Sequence, residues 1–372
     1  MRTLKRILKW AGALILIAFV GAALLLFVSY WRSTNDCEKL GAAQGEKMKA
    51  VVYCDYGTAD VLKLMDIAKP VPNENQLLIR VRAASVNPYD WHFMRGTPYI
   101  MRLGIGLRKP ASTRLGVDFA GTVEAVGKNV TQFKPGDEVY GGKGGAFAEY
   151  VCTSEKNTVR KPGNISFEQA GSVEIAGHTA LLALRDHGKV QPGQKVLING
   201  ASGGVGTFAV QIGKVLGAHV TGVCSTRNID LVRSLGADEI IDYTKEDFAN
   251  NGKQYDVILD NVPNHSLADC RRSLTPKGKY IMIGGGGPDD GRVIGPFARV
   301  IKIMLSKPFV SQEMKMMMSD PSKDDMIYLR DLMEAGQVKP VIDRTYKLPE
   351  IAEAVRYVEA GHARGKVVVT VD

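Results

Sequence analysis

The residues with the clearest chemical meaning form the glycine-rich run GASGGVG at positions 200–206, between the apolar stretch KVLIN and an apolar segment with helical periodicity. Glycines in such a turn let the backbone approach a pyrophosphate and let a helix pack closely on a strand. Free N–H groups at a helix N-terminus then bind the phosphates. The run predicts a dinucleotide site, whose cofactor-binding residues are Ser202, Gly203, Gly204, Val205 and Gly206.

The end of the next apolar strand bears on which nicotinamide dinucleotide is bound. NAD sites usually carry an acidic residue there, where it binds the ribose hydroxyls. Here the strand is followed by Ser225, Thr226 and Arg227, and the first acid is Asp230. A guanidinium suits the 2′-phosphate of NADPH, and the lesser alternative is that Arg227 is a solvated residue at a helix start. The pattern favours NADPH over NADH, with Ser225 and Arg227 at the phosphate.

The elements that must position this loop follow from the rhythm of the chain. Residues 48–170 are rich in candidate strands separated by Gly and Pro, which predicts a small β-rich domain. From 171 to 310 strands alternate with helices, which is typical of a doubly wound parallel sheet. Residues 311–372 return to helices and a last strand, KVVVTV, that we expect to rejoin the first domain. The predicted fold class is α/β.

The N-terminal segment has a different character. Residues 1–9 form a basic flank, and the 22 positions from Trp10 to Trp31 contain no charged residue. A helix of that length spans about 33 Å, enough for a bilayer core of about 30 Å. We therefore expect a transmembrane helix over 10–31, with a cleaved signal peptide as the alternative, and a linker over 32–47. The basic residues before the helix favour a cytoplasmic N-terminus, which would place the enzyme outside the cytoplasm. The need for NADPH favours the opposite orientation, and this second argument slightly favours an enzyme that faces the cytoplasm.

Charge and cysteine content bear on whether the protein binds nucleic acid and whether disulfides or a structural zinc ion stabilise it. Five of the nine net positive charges lie in residues 1–32, so the basic pI gives no indication of nucleic-acid binding. The odd number of cysteines and the lack of any CxxC pair argue against a disulfide framework and against a structural zinc lobe. The five cysteines are Cys37, Cys54, Cys152, Cys224 and Cys270.

Several motifs in fixed order resemble the quinone oxidoreductase branch of the medium-chain dehydrogenases/reductases, over about residues 48–372. They are VNPYD at 86–90, GVDFAG at 116–121, KPGDEV at 134–139, GHTA at 177–180, the glycine-rich loop, LGAD at 235–238 and GHARGK at 361–366. The resemblance implies a GroES-like catalytic domain into which a Rossmann domain is inserted, with the cofactor in the cleft between them. It also implies that Thr179 lies beside the nicotinamide, and Tyr243 near the 2′-phosphate. Asn87 would face the substrate.

The chain also resembles the zinc alcohol dehydrogenases, but it differs from them at the positions of their zinc ligands. Those enzymes have Cys where Asn87 stands and His-Glu where Val117 and Asp118 stand. Valine cannot bind zinc, and too few ligands remain. We therefore expect no metal and a substrate that needs little activation, such as a quinone or an enone, polarised by hydrogen-bond donors.

The catalytic candidates remain open from the sequence. Asn87 and Asp90 either contact the substrate or make turn-type bonds from side chain to backbone. Tyr89 either donates a proton or packs on the cleft wall, and Gly284 either passes near the nicotinamide or merely ends a strand.

The predicted function is a zinc-independent NAD(P)H-dependent reductase of quinones or α,β-unsaturated carbonyls. A 2-enoyl thioester reductase and a low-turnover NADPH-binding scaffold or redox sensor at the membrane are the alternatives. The expected partners are a small apolar substrate and the membrane, through the N-terminal helix. A homodimer is compatible with the sequence, and nucleic acid is not expected.

Overall fold

The computed structural model describes residues 2–33, 35, 37–41, 45–284, 293–306, 310–317 and 322–371. The chain begins with a long helix and a short one, α1 (Arg2–Arg32) and α2 (Cys37–Leu40). The first domain then contains β1 (Lys47–Val52), β2 (Lys63–Ala68), β3 (Gln76–Val86), α3 (Pro88–Arg95), α4 (Arg102–Ile105), β4 (Asp118–Val126), β5 (Glu138–Gly142), β6 (Tyr150–Ser154) and β7 (Thr158–Arg160).

The middle of the chain alternates between helix and strand. Its elements are α5 (Phe167–Ala170), α6 (Glu174–Leu181), β8 (Lys195–Asn199), α7 (Gly204–Val215), β9 (His219–Cys224), α8 (Ile229–Ser234), β10 (Glu239–Asp242), β11 (Tyr255–Asp260), α9 (Leu267–Arg272), β12 (Leu274–Met282), α10 (Phe297–Ser306) and β13 (Glu313–Met316). The chain closes with α11 (Lys323–Glu334), β14 (Ile342–Lys347), α12 (Ile351–Glu359) and β15 (Lys366–Thr370).

The nucleotide-type sheet is entirely parallel, in the order β10-β9-β8-β11-β12-β13. In chain order this is the 3-2-1-4-5-6 arrangement of Rossmann folds, in which ligands bind beyond the carboxyl ends of the strands where the order reverses. The reversal lies between β8 and β11, and the glycine-rich run directly follows β8. Because β13 belongs to this sheet, the sheet extends past the boundary that the sequence predicts at residue 310.

The other large sheet has the order β14-β15-β3-β4-β5-β7, with β6 also paired to β3. Strand β15 pairs antiparallel with β3, with Val367 opposite Val86. The last strand of the chain therefore lies beside the end of β3, immediately before Asn87. This pairing brings residues almost 280 positions apart in the sequence to one edge of the cleft.

The structure of the N-terminal helix differs from the predicted one. Among the residues that the structure describes, no helix is both long enough and apolar enough to cross a membrane. The predicted transmembrane helix over 10–31 and the single-pass localisation are therefore wrong, and the expectation that this helix makes the membrane a partner is not supported. The C-terminal end of α1 and the residue that follows it contact the first domain: the Ser29 hydroxyl donates to the Arg102 carbonyl at 3.0 Å, and the Arg108 amide donates to the Ser33 hydroxyl at 2.9 Å.

The sequence argues against a disulfide framework, yet the structure contains a disulfide that this argument did not anticipate. Cys37 and Cys54 are bonded to each other, with their Cα atoms 5.9 Å apart. The segment that follows β1 brings Cys54 next to α2, and the side-chain amide of Asn35 donates to the Cys54 carbonyl at 2.7 Å. Sequence spacing alone cannot show this approach, because it depends on where the N-terminal segment packs. Cys152, Cys224 and Cys270 are free thiols.

Candidate active site

The glycine-rich loop has the shape that a dinucleotide needs. Gly200 has a φ of +78°, and a Cβ on Gly206 would lie 2.1 Å from the Gly200 carbonyl oxygen, so a larger residue at 206 would push the helix away from the strand. Gly203 has extended backbone angles, and a Cβ there would lie no closer than 3.6 Å to any described neighbour. Helix α7 starts at the next residue, so its first N–H groups lie beside open space.

The far end of the loop is braced by Asn228. Its side-chain amide donates to the hydroxyls of Ser202 at 2.9 Å and of Ser225 at 3.2 Å. Arg227 is exposed beside this pair, and its guanidinium donates to the His362 carbonyl at 3.1 Å. Tyr243 is 59% exposed. These polar groups lie together at one end of the cleft, as expected for residues that bind an adenosine phosphate.

One cavity of about 550 Å³ joins the two domains. It brings most of the predicted site residues together, which are Asn87, Ser202, Gly203, Gly204, Val205, Gly206, Ser225, Arg227, Tyr243 and Gly284. Asn87 and Lys366, which lies at the start of β15, also line this cavity. The cofactor and catalytic candidates therefore share a single space.

Three predicted residues are absent from the described lining of this cavity. Thr179 is buried within α6. The ring of Tyr89 is exposed and stacks on Phe93, with 4.1 Å between centroids. Asp90 is fully buried, and its two carboxylate oxygens accept from the backbone amides of Asn87 at 2.8 Å and Gly116 at 2.9 Å. For Asp90 the structure thus shows the side-chain-to-backbone bonds that the sequence left as one alternative.

A buried polar cluster behind Asn87 was missed by the sequence reasoning. We define it as Ser85, Asn87, Asp118, Glu174 and Lys366. The Lys366 ammonium donates to Asn87 Oδ1 at 2.5 Å and to Asp118 Oδ2 at 3.2 Å. Asp118 also accepts from the Ser85 hydroxyl at 2.5 Å and from the Asn87 amide at 3.1 Å. The motif GHARGK contained the lysine, but nothing local indicated that its side chain reaches the end of β3.

Burial changes the acid–base behaviour of two carboxyl groups near this wall. Desolvation raises the pKa of Glu174 to about 8, and the neighbouring negative charge of Asp118 acts in the same direction. Desolvation also raises the pKa of Asp90 to about 7, against the effect of its two backbone hydrogen bonds. Both groups therefore bind protons more tightly in the folded protein than in the unfolded chain.

This tighter binding predicts a pH-dependent stability. A folded-state pKa above the ordinary value of 4.5 means that stability falls as pH rises from about 4.5 to about 8. The contribution of Asp90 ends near pH 7, so the fall between pH 7 and 8 reports Glu174. We expect Glu174→Gln to flatten this part of the urea-unfolding profile by about 1 kcal/mol between pH 7 and 8. Glu334→Gln, at an exposed position at the end of α11, is the control. An equal slope in wild type and Glu174→Gln would contradict the assignment.

No group of three or more His, Cys, Asp or Glu residues in the described part of the chain is arranged to hold a metal ion. Valine occupies position 117, and the Asn87 side-chain amide donates to Asp118 and to the Ser85 carbonyl. These residue types and bonds are those of a hydrogen-bonded cluster.

Comparison with known proteins gives the family. Residues 73–163 match the alcohol dehydrogenase GroES-like domain, and residues 235–369 match the zinc-binding dehydrogenase family. The chloroplastic quinone-oxidoreductase QR1 of Triphysaria versicolor is 35% identical over 343 residues, which cover 87% of this chain and 99% of that protein. The chain belongs to the quinone oxidoreductase branch of the medium-chain dehydrogenases/reductases. The family predicted from the motifs is therefore confirmed.

Two further relatives of this medium-chain reductase extend the comparison. The human mitochondrial NAD(P)H oxidoreductase RTN4IP1 is 34% identical over 367 residues, covering 87% of this chain and 89% of the relative. The solved structure of the quinone oxidoreductase from Coxiella burnetii has a TM-score of 0.75 at 32% identity, covering 88% of this chain and all of the other. The predicted combination of a GroES-like domain with a Rossmann-type parallel sheet is thereby confirmed.

Proposed function

We propose that the protein is an NADPH-dependent reductase that transfers a hydride to quinones or α,β-unsaturated carbonyls. The observation that carries this proposal is the shared cleft, which is lined both by the glycine-rich loop and by Asn87 and Lys366. The names of QR1 and of the C. burnetii protein support quinones as acceptors. The name of the human relative supports NAD(P)H as the donor.

The residues of the loop fit a dinucleotide. Gly203 leaves the space at the start of α7 clear, and the first N–H groups of that helix suit the pyrophosphate. Ser202 and Ser225 are oriented by Asn228, and Arg227 supplies positive charge for a 2′-phosphate. When bound, NADPH supplies the hydride from its dihydronicotinamide ring.

The residue types at positions 87 and 117 favour chemistry without zinc. Asn87 and Val117 stand where zinc-dependent relatives have ligands, and neither is a zinc ligand of the usual type. Polarisation of the acceptor therefore depends on N–H donors and fixed charge. Quinones and enones suit such a site because they accept hydride more readily than simple ketones.

The test is steady-state NADPH oxidation with a panel of quinones, enones and 2-enoyl thioesters. We expect turnover with quinones or enones. Activity confined to thioesters would replace the proposed substrate class, and tight NADPH binding without turnover on any acceptor would indicate a scaffold or sensor.

Chelation provides a prediction about the metal. Prolonged dialysis against a zinc chelator should leave both the activity and the unfolding midpoint unchanged, because no residue of the proposed site is assigned to zinc. Metal content and activity are measured on the same samples. Stoichiometric zinc whose removal abolishes activity would contradict the prediction.

Cofactor preference gives a second prediction. Arg227→Ala should weaken NADPH binding about tenfold to hundredfold, because a charge-assisted hydrogen bond contributes roughly 1.5–3 kcal/mol. NADH binding should hardly change, since it lacks the 2′-phosphate. Arg233→Ala on α8 is the matched control, because that guanidinium pairs with Asp230. Dissociation constants from nicotinamide fluorescence decide the matter, and equal losses for NADPH and NADH would refute the role of Arg227.

A further inference from the structure

Lys366 is a buried cation at the wall of the proposed reaction space. Its side chain is 3% exposed, and it contributes to the lining of the cleft. Burying an ammonium is costly unless it is paired and hydrogen-bonded. Two of its three donors reach Asn87 and Asp118. A structural ion pair has no need to lie in a cleft wall, so the position of this cation requires an explanation.

The backbone around Lys366 fixes where the ammonium lies. The Gly365 amide donates to the Ser202 carbonyl at 2.9 Å, which ties the start of β15 to the cofactor loop. The Lys366 Cδ atom lies 3.1 Å from where a Cβ on Gly204 would be. The lysine side chain therefore runs along the loop, and its tip ends at Asn87. It connects the cofactor wall with the wall assigned to the acceptor.

The carboxylate of Asp118, which pairs with Lys366, also accepts hydrogen bonds from other donors. Asp118 accepts from the Ser85 hydroxyl, the Asn87 amide and the Ile175 backbone amide, the last at 3.0 Å. These bonds stabilise its negative charge without the lysine. Glu174, whose pKa is raised to about 8 mainly by burial, adds little negative charge near neutral pH. Asp118 is thus the single carboxylate that pairs with Lys366 in the cluster near neutral pH.

We propose that the Lys366 ammonium stabilises the negative charge that develops on the acceptor's carbonyl oxygen during hydride transfer. This inference rests on the proposed function. The hydride, carrying two electrons, forms a new C–H bond at the β-carbon of an enone. The C=C π pair then forms the enolate C=C, and the carbonyl π pair becomes a lone pair on oxygen. NADPH is oxidised to NADP⁺, and a proton from water at the α-carbon completes the saturated ketone.

A fixed ammonium in a cleft of low polarity can serve this role. Preorganised hydrogen-bond donors stabilise the negative charge of a transition state more strongly in such a site than in water. Loss of one such donor typically reduces the rate about 10²–10³-fold. In the zinc-dependent relatives a metal ion polarises the oxygen, and this chain differs from them at the positions of Asn87 and Asp118. Lys366 hydrogen-bonds to both of these residues, so it supplies a fixed positive charge beside them.

The experiment compares Lys366→Met, which keeps most of the side-chain length and removes the charge, with Lys366→Arg, which keeps the charge. Lys339→Met, at an exposed lysine outside the cluster, is the matched control. The kcat is measured with quinones of decreasing reduction potential and with enones, and NADPH affinity is measured by fluorescence. We expect kcat of Lys366→Met to fall about 10²–10³-fold for enones and under about tenfold for the most easily reduced quinone. NADPH affinity should change less than about threefold, and Lys366→Arg should recover part of the rate.

The difference in the loss of kcat between enones and easily reduced quinones distinguishes this role of Lys366 from a structural one. A distorted site would slow all acceptors by a similar factor, which would overturn the proposal. A weaker NADPH affinity with unchanged kcat would also overturn it, because it would assign the ammonium to the cofactor phosphates. If Lys366→Met fails to fold, the double variant Lys366→Met/Asp118→Asn removes both charges and should show the same difference. A wild-type protein that reduces neither quinones nor enones refutes the proposed function itself, and this inference with it.

Discussion

Valine in place of Gly203 is expected to abolish NADPH binding while the protein remains folded. The backbone of Gly203 has φ −83° and ψ −179°, an extended conformation that a β-branched residue adopts readily. A Cβ there would have the Gly200 carbonyl oxygen, at 3.6 Å, as its nearest described neighbour. The side chain would therefore extend into the cleft at the start of α7 and cover the N–H groups assigned to the pyrophosphate. We expect a loss of affinity of at least about 100-fold, or roughly 2.7 kcal/mol.

Other glycines of the loop give less direct tests. A Cβ on Gly204 would lie 3.1 Å from Lys366 Cδ, so a substitution there also disturbs the lysine. A Cβ on Gly206 would clash with backbone at 2.1 Å and threaten the fold. Gly163→Val is the control, because a Cβ there has no described atom within 4 Å and the residue is outside the cleft lining. Circular dichroism and NADPH titration suffice, and a folded Gly203→Val protein with wild-type affinity would show that the loop does not bind the cofactor.

Alanine in place of Asp118 is expected to destabilise the protein by about 3–5 kcal/mol. Removing one partner of a buried ion pair leaves an uncompensated charge in the interior, and losses of this size are typical. Here Lys366 would lose its carboxylate, and Ser85, Asn87 and the Ile175 amide would lose their acceptor. Equilibrium urea denaturation at constant pH measures the change in the free energy of unfolding.

An exposed ion pair provides the contrast. Glu74 pairs with Lys128 at 2.6 Å, and both side chains are well exposed. Such pairs contribute about 0–1 kcal/mol, so Glu74→Ala should hardly change the unfolding curve. If Asp118→Ala proved as mild as Glu74→Ala, water or a rearranged neighbour would have to compensate Lys366, and the cluster described here would not be the dominant arrangement.

The N-terminal segment shows how composition alone can mislead. The uncharged stretch from Trp10 to Trp31 was interpreted by its length and apolarity. These properties carry no information about what the end of the helix contacts. The bonds from Ser29 to Arg102 and from Arg108 to Ser33 join residues more than 70 positions apart. The Cys37–Cys54 disulfide was missed for the same reason, since bonding depends on the distance between two Cα atoms and not on their spacing in the chain.

The sequence by itself determined the glycine-rich loop and the parallel sheet behind it. Both are encoded locally: GASGGVG is one continuous run between a strand and a helix, and the alternation of the two elements has a short period. Only the tertiary structure decided which residues form the part of the cleft wall that carries Asn87 and Lys366. Asn87 follows β3, Asp118 begins β4, Glu174 begins α6 and Lys366 begins β15, so antiparallel pairing and domain packing must bring them together. The charge balance of that wall depends on burial and on distances of about 3 Å between distant parts of the chain, which no local pattern encodes.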